Sequence, residues 1–127
     1  MAGGVLIVED DEDIRADLTA ILRLKGYLVD QAANGHEALA CMRRSRPSVV
    51  LLDLMMPEMN GWELRAAMRE DPELRDVPVV VVSGAGKLDE VAAALDVAAV
   101  LPKPFELTHL FELVERFCPR AAVSAVR

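Results

Sequence analysis

Along the chain, short unbroken apolar runs alternate with longer stretches in which apolar residues recur every three or four positions. Val5 to Val8 is the first run, and it ends in Glu9-Asp10-Asp11. Ile14, Leu18, Ile21 and Leu22 then fall on one face of a helix that stops at Gly26. Tyr27 to Ala33 reads as a second strand, closed by Asn34-Gly35. His36 to Arg44 is a short helix with Ala38, Leu39 and Met42 inward, ended before Pro47. Val49 to Leu52 is the next apolar run, and it delivers a carboxylate, Asp53, to a loop carrying Pro57 and Asn60-Gly61. A helix from about Gly61 to Glu70 carries Leu64 and Met68 and stops near Pro72. Val79 to Val82 is a fourth strand, ending in Ser83-Gly84-Ala85-Gly86. Leu88, Val91, Ala92 and Leu95 give an i, i+3, i+4, i+7 stripe. Ala98 to Leu101 is the fifth strand and runs into Pro102-Lys103-Pro104. Leu107, Leu110, Phe111, Val114 and Phe117 mark a last helix that Pro119 ends.

Five strand–helix units in strict alternation predict an α/β fold. Continuous rather than alternating apolar runs belong to strands covered on both faces, as in a parallel sheet with right-handed crossovers and helices on either side. The common doubly wound, flavodoxin-like order for five units is 2-1-3-4-5, with its switch point between strands 1 and 3. That order makes Glu9 and Asp10 neighbours of Asp53 at the rim where open α/β sheets bind ligands. One domain over residues 1–127 is expected, with a core from about 5 to 118 and a short tail at 119–127.

Composition narrows the function. Of 127 residues, 53% are hydrophobic and 28% charged, the balance of a folded globular chain. A net charge of −7 argues against a nucleic-acid surface, which needs a basic patch. No apolar run approaches the roughly 18 residues of a membrane span, and Met1-Ala2-Gly3-Gly4 is no signal peptide, so a cytoplasmic location is expected. Cys41 and Cys118 form no CxxC pair and read as reduced packing residues.

The rim residues carry the chemistry. Two unit charges about 4 Å apart repel by roughly 4 kcal/mol at an effective dielectric of 20, so clustered carboxylates call for a proton, solvent or a cation. Oxygen-only ligands suit Mg²⁺. Ser83 adds a hydroxyl and Lys103 a point charge suited to phosphate. Each residue alone has a plainer reading. Glu9, Asp10 and Asp11 could be helix-start acids, Asp53 and Ser83 turn residues, and Lys103 a solvated loop lysine. Together, at four strand ends of one sheet, they describe a carboxylate nucleophile set for phosphoryl transfer.

The motifs VEDD, LLDLMMPEMNG, VVVVSG and LPKPF, at successive strand ends, resemble those of response-regulator receiver domains, the phosphoacceptor modules of two-component signalling. The resemblance runs from about Val5 to Phe117. It implies that Asp53 is phosphorylated and that Glu9, Asp10, Asp53 and the Met55 carbonyl hold Mg²⁺, with Mn²⁺ as a substitute. It implies that Ser83 and Lys103 meet the phosphoryl oxygens and that the Lys103–Pro104 bond is cis. Asp11 is not assigned to the metal. The donor would be a sensor histidine kinase or a histidine phosphotransfer protein. The output would pass to an unidentified effector protein, with no direct nucleic acid and no membrane. Such a domain catalyses only its own phosphorylation and dephosphorylation and is not otherwise an enzyme.

Some positions depart from the family pattern. Val100 stands where an aromatic residue is common, and Ala98-Ala99 replace an acidic pair frequent in DNA-binding relatives, which weakens the expected coupling and dimerisation through that face. Gly84 leaves space beside Ser83. His36 and His109 read as surface residues. Trp62, Met55, Met56 and Met59 flank the rim loop as packing residues or a docking patch. Three rivals stand beside the receiver. An aspartate-nucleophile phosphohydrolase wants a second Asp where Met55 stands, a non-phosphorylated interaction module would keep the fold alone, and a dinucleotide-binding module lacks its GxGxxG.

Overall fold

A computed structural model describes residues 3–54, 60–84 and 88–118. In chain order the elements are β1 (Val5–Val8), α1 (Glu12–Leu24), β2 (Val29–Ala32), α2 (Gly35–Arg44) and β3 (Val49–Asp53). There follow α3 (Gly61–Glu70), β4 (Val79–Ser83), α4 (Leu88–Leu95), β5 (Ala99–Pro102) and α5 (Leu107–Phe117). The five strands form one sheet in the order β2-β1-β3-β4-β5, and every neighbouring pair is parallel. The expected doubly wound topology is the one observed.

Successive residues of a strand point to opposite faces, so each central strand feeds two cores. Leu6, Val8, Val50, Leu52, Val79 and Val81 pack with Met42 of α2, Leu64 and Met68 of α3 and Leu95 of α4. Val5, Ile7, Val49, Leu51, Val80 and Val82 pack with Leu22 of α1 and Leu110, Leu113 and Val114 of α5. All residues of β1, β3 and β4 are buried, which is why these strands read as unbroken apolar runs.

Side chains fix the helix starts. Asp11 accepts from the Ile14 amide (3.0 Å) and caps α1. Asn34 does the same for α2, and Asn60 with Glu63 forms a capping box on α3. Gly26, at φ +96°, turns the chain out of α1 in a conformation that side chains disfavour.

Several expectations shift in detail. The second strand is confined to Val29–Ala32, and Tyr27 instead packs its ring into the α1/α5 core. On α1, Ile14 is 39% exposed, whereas Thr19 is buried and donates its hydroxyl to the Arg15 carbonyl (2.8 Å). On α5, Leu107 is exposed and Leu113 lies inside. The reason is one of length. A 13-residue helix spans about 20 Å and a four-residue strand about 13 Å, so the first turn of α1 overhangs the sheet it covers. The side chains of Leu88, Val91 and Ala92 and the tail at 119–127 lie outside the described residues.

Candidate functional site

Strand register assembles the rim. Val8 pairs with Leu52, so the next residues, Glu9 and Asp53, leave β1 and β3 side by side. Asp53 is opposite Val82 and Ser83 opposite Pro102, which brings the ends of β4 and β5 to the same edge. The Lys103 amide donates to the Ser83 carbonyl (3.0 Å), and the Lys103–Pro104 bond is cis, as expected. Glu9, Asp10 and Asp53 each present a carboxylate oxygen, all within 4.8 Å of one another.

These acids are not equivalent. Asp10 is exposed, whereas Glu9 and Asp53 are buried at 4% and 9% accessibility. Glu9 is held from several sides. The Asp11 amide donates to its Oε2 (3.2 Å), Lys103 Nζ stands 3.5 Å from its Oε1, and the Arg15 guanidinium donates to its carbonyl (2.8 Å). Burial, above all, and a side-chain hydrogen bond with Asp53 push the Glu9 carboxyl up to about 7, against the opposing pull of the Asp11 amide and Lys103. The same hydrogen bond ties the Glu9 side chain to Asp53 across the β1/β3 crevice. The Asp11 side chain caps α1.

The loop after Asp53 returns to the sheet through a tight contact. The Gly61 amide donates to the Leu54 carbonyl (3.1 Å), and a Cβ at Gly61 would lie 2.7 Å from Leu54 Cδ2 and 2.8 Å from Leu54 Cα. Only glycine lets α3 begin so close to the residue that follows Asp53. The Met55 carbonyl, and Met56 and Met59, lie outside the described residues. Ser83 is buried at 1%, and Gly84 beside it is exposed, with room for a Cβ 3.9 Å from Lys103 Cβ. Val100 is half-buried against the α2–α4 core. His36 and His109 are exposed, Trp62 is 40% exposed, and both cysteines are free thiols.

Two functional-looking arginines escaped the sequence reading. Arg15 sits one turn into α1 with no signal that it reaches back to Glu9. Arg65 lies inside α3 beside Leu64 and is 5% exposed, a burial that its charge gives no reason to expect.

Chemically, the rim offers hard oxygen ligands from three carboxylates, two of them desolvated, next to a hydroxyl and a lysine. That donor set fits a small divalent cation with an anionic ligand beside it. Fold and site together define a doubly wound α/β domain whose carboxylates gather at the β1/β3 switch point, the place where open α/β sheets bind ligands.

The description "Response regulator receiver domain" matches residues 5–115, and the chain belongs to that family. It is 38% identical over 108 residues to response regulator MprA of Mycolicibacterium vanbaalenii, covering 84% of this chain and 46% of that protein. It is 37% identical over 123 residues to the transcriptional regulatory protein PrrA of Mycobacterium leprae, covering 95% of this chain and 52% of that protein. The chain thus spans about half the length of these relatives. Among solved structures, chemotaxis protein CheY4 of Vibrio cholerae superposes with a TM-score of 0.82 at 31% identity, covering 92% of this chain and 98% of that one. Response regulator TrrA of Thermotoga maritima, solved in complex with Mg²⁺-BeF, gives 0.79 at 26% identity, covering 92% and 99%. No helix among the described residues is long and apolar enough to cross a membrane.

Proposed function

We propose that this receiver domain takes a phosphoryl group from a phosphohistidine onto Asp53. The donor is a sensor histidine kinase or a histidine phosphotransfer protein, met in the cytoplasm. The observation that carries the reading is the convergence of Glu9, Asp10 and Asp53 within 4.8 Å, with Lys103 Nζ 3.5 Å from Glu9. Glu9, Asp10, Asp53 and the Met55 carbonyl would hold Mg²⁺. A relative solved with Mg²⁺-BeF supports this assignment, as does the crowding of two buried carboxyls that a cation would relieve. The bound ion supplies charge neutralisation at the transferring phosphoryl group.

An Asp53 carboxylate oxygen attacks phosphorus in line with the P–N bond. The O–P bond forms as the P–N bond breaks, and the imidazole leaves with the electron pair and regains a proton from solvent. Lys103 then exchanges its contact with Glu9 for a phosphoryl oxygen, and the Ser83 hydroxyl donates to another. Attack of water on phosphorus forms a new O–P bond and breaks the bond to the Asp53 oxygen, so inorganic phosphate leaves and the carboxylate is regenerated; the domain acts on itself and turns over no separate metabolite. The output is a changed surface around Ser83 and α4, read by an effector protein.

The test is intact mass after incubation with acetyl phosphate, with and without Mg²⁺, on the wild type and Asp53→Asn. One phosphoryl adduct that requires both Mg²⁺ and Asp53 is expected. A folded protein that binds Mg²⁺ but gains no adduct would overturn the phosphoacceptor role and leave an interaction module.

A further inference from the structure

Helix α4 follows the Ser83 end of the rim along the chain. Its N-terminal end follows Ser83 by five residues, so displacement of Ser83 reaches Leu88 first. Its C-terminal end is tied to another helix. Arg65 of α3 donates from Nε to the Leu95 carbonyl (3.0 Å), from one terminal nitrogen to the Asp96 carbonyl (2.9 Å), and from the other to the Arg75 carbonyl (3.4 Å).

A helix leaves its last carbonyls without intrahelical partners, and cations there are favoured by the dipole. Here α4 has no basic residue in its own last turn. Asp96, just beyond it, sits at φ +54°, a conformation that side chains other than Asn and Asp seldom adopt. Arg65 therefore supplies from α3 the cap that α4 lacks. The guanidinium is desolvated, which pulls its pKa below the ordinary arginine value, while the charges of Asp96 and Asp76 oppose that fall. Releasing the Leu95 and Asp96 carbonyls would leave a buried cation without its acceptors, a costly state. At its other end α3 is fixed by the Gly61–Leu54 contact, directly after Asp53.

We propose that Arg65 is the pivot of the switch: it clamps the C-terminal end of α4 to α3, so that α4 responds by swinging its N-terminal end about Leu95 and Asp96. The proposal rests on Asp53 being the phosphoacceptor. It confines the response to the half of α4 that follows Ser83, and it routes coupling through backbone carbonyls in a chain whose β5 carries Val100.

The experiment is amide hydrogen exchange on the full chain, with and without beryllofluoride plus Mg²⁺, for the wild type, Arg65→Met, Arg65→Lys and Asp53→Asn. In the wild type, beryllofluoride should change exchange at 88–91 and leave 93–96 as they were. Arg65→Met should speed exchange at 93–96 by about tenfold or more, as expected for a lost buried hydrogen-bond set, and let the beryllofluoride response spread into them. Arg65→Lys, which can satisfy fewer carbonyls, should fall between. Two results would overturn the pivot. One is a wild-type response spread evenly over 88–96, readable even if the Met variant fails to fold. The other is unaltered exchange at 93–96 in a folded Arg65→Met. No response at any amide in the wild type would instead count against Asp53, because clamping in the resting protein is read without beryllofluoride.

Discussion

Lys103 Nζ lies 3.5 Å from Oε1 of Glu9, although their strands, β5 and β1, are separated by β3 and β4. Three strand spacings amount to about 14 Å, so the contact needs two long side chains, one from each strand end, to span the rim. It joins a lysine to a buried carboxyl that is also hydrogen-bonded to Asp53, and consequences of that arrangement can be measured.

The first concerns stability. Folding raises the Glu9 carboxyl from 4.5 to about 7. Between those values the folded protein binds more protons than the unfolded chain, so this group's contribution falls as pH rises from about 4.5 to about 7 and is constant above. Urea unfolding without divalent metal should show the loss as a wild-type-minus-Glu9→Gln stability difference that falls across that window, since the variant lacks the ionisable group. A difference that stayed flat across the window would mean Glu9 is charged throughout.

Cation binding must displace the same proton. At about pH 6, Mg²⁺ should release about one proton per ion bound, and the number should approach zero above about pH 8. Titration calorimetry in buffers of different ionisation enthalpy counts the protons. Release that did not vary with pH would remove Glu9 from the ligand set.

Lys103 opposes the rise in the Glu9 carboxyl. Lys103→Met should therefore move the Glu9 midpoint above about 7, visible in carboxyl-carbon NMR shifts. By removing the charge proposed to meet the phosphoryl oxygens, it should also slow adduct formation with acetyl phosphate by about 100-fold. A normal rate with a shifted midpoint would confine Lys103 to an electrostatic role in the resting protein.

Gly61→Ala should couple fold to chemistry. Its Cβ would meet Leu54 at 2.7 Å, so Leu54 or the start of α3 must move. A cost of about 1–3 kcal/mol is expected, with slower phosphorylation because Leu54 follows Asp53. Denaturant midpoints and the adduct rate check both. An unaltered rate in a destabilised protein would show that the rim tolerates the shift.

Most of the fold was legible because its signals are local. Val49–Leu52 and Val79–Val82 are apolar throughout since both faces of their strands are covered, and the caps Asp11, Asn34 and Asn60 announce helices within a few residues. The rim residues were legible for the same reason: each stands at the end of a run. Tyr27, Ile14 and Leu107 were misplaced, and Leu113 passed over, where packing across elements overrides periodicity, since neither the overhang of α1 nor the depth of the α1/α5 core is written in residue spacing.

The sequence by itself determined which residues form strands, which carboxylates stand at their ends, and hence the class of domain. Only the tertiary structure decided that Glu9 rather than Asp10 is the desolvated acid, that Lys103 reaches it across the sheet, and that Arg65 caps a helix 30 residues further along the chain. Periodicity and capping depend on neighbours within one turn or one strand. Burial, an ion pair across the sheet and a cap supplied by another helix depend on which surfaces meet, and that is settled only when the layers pack.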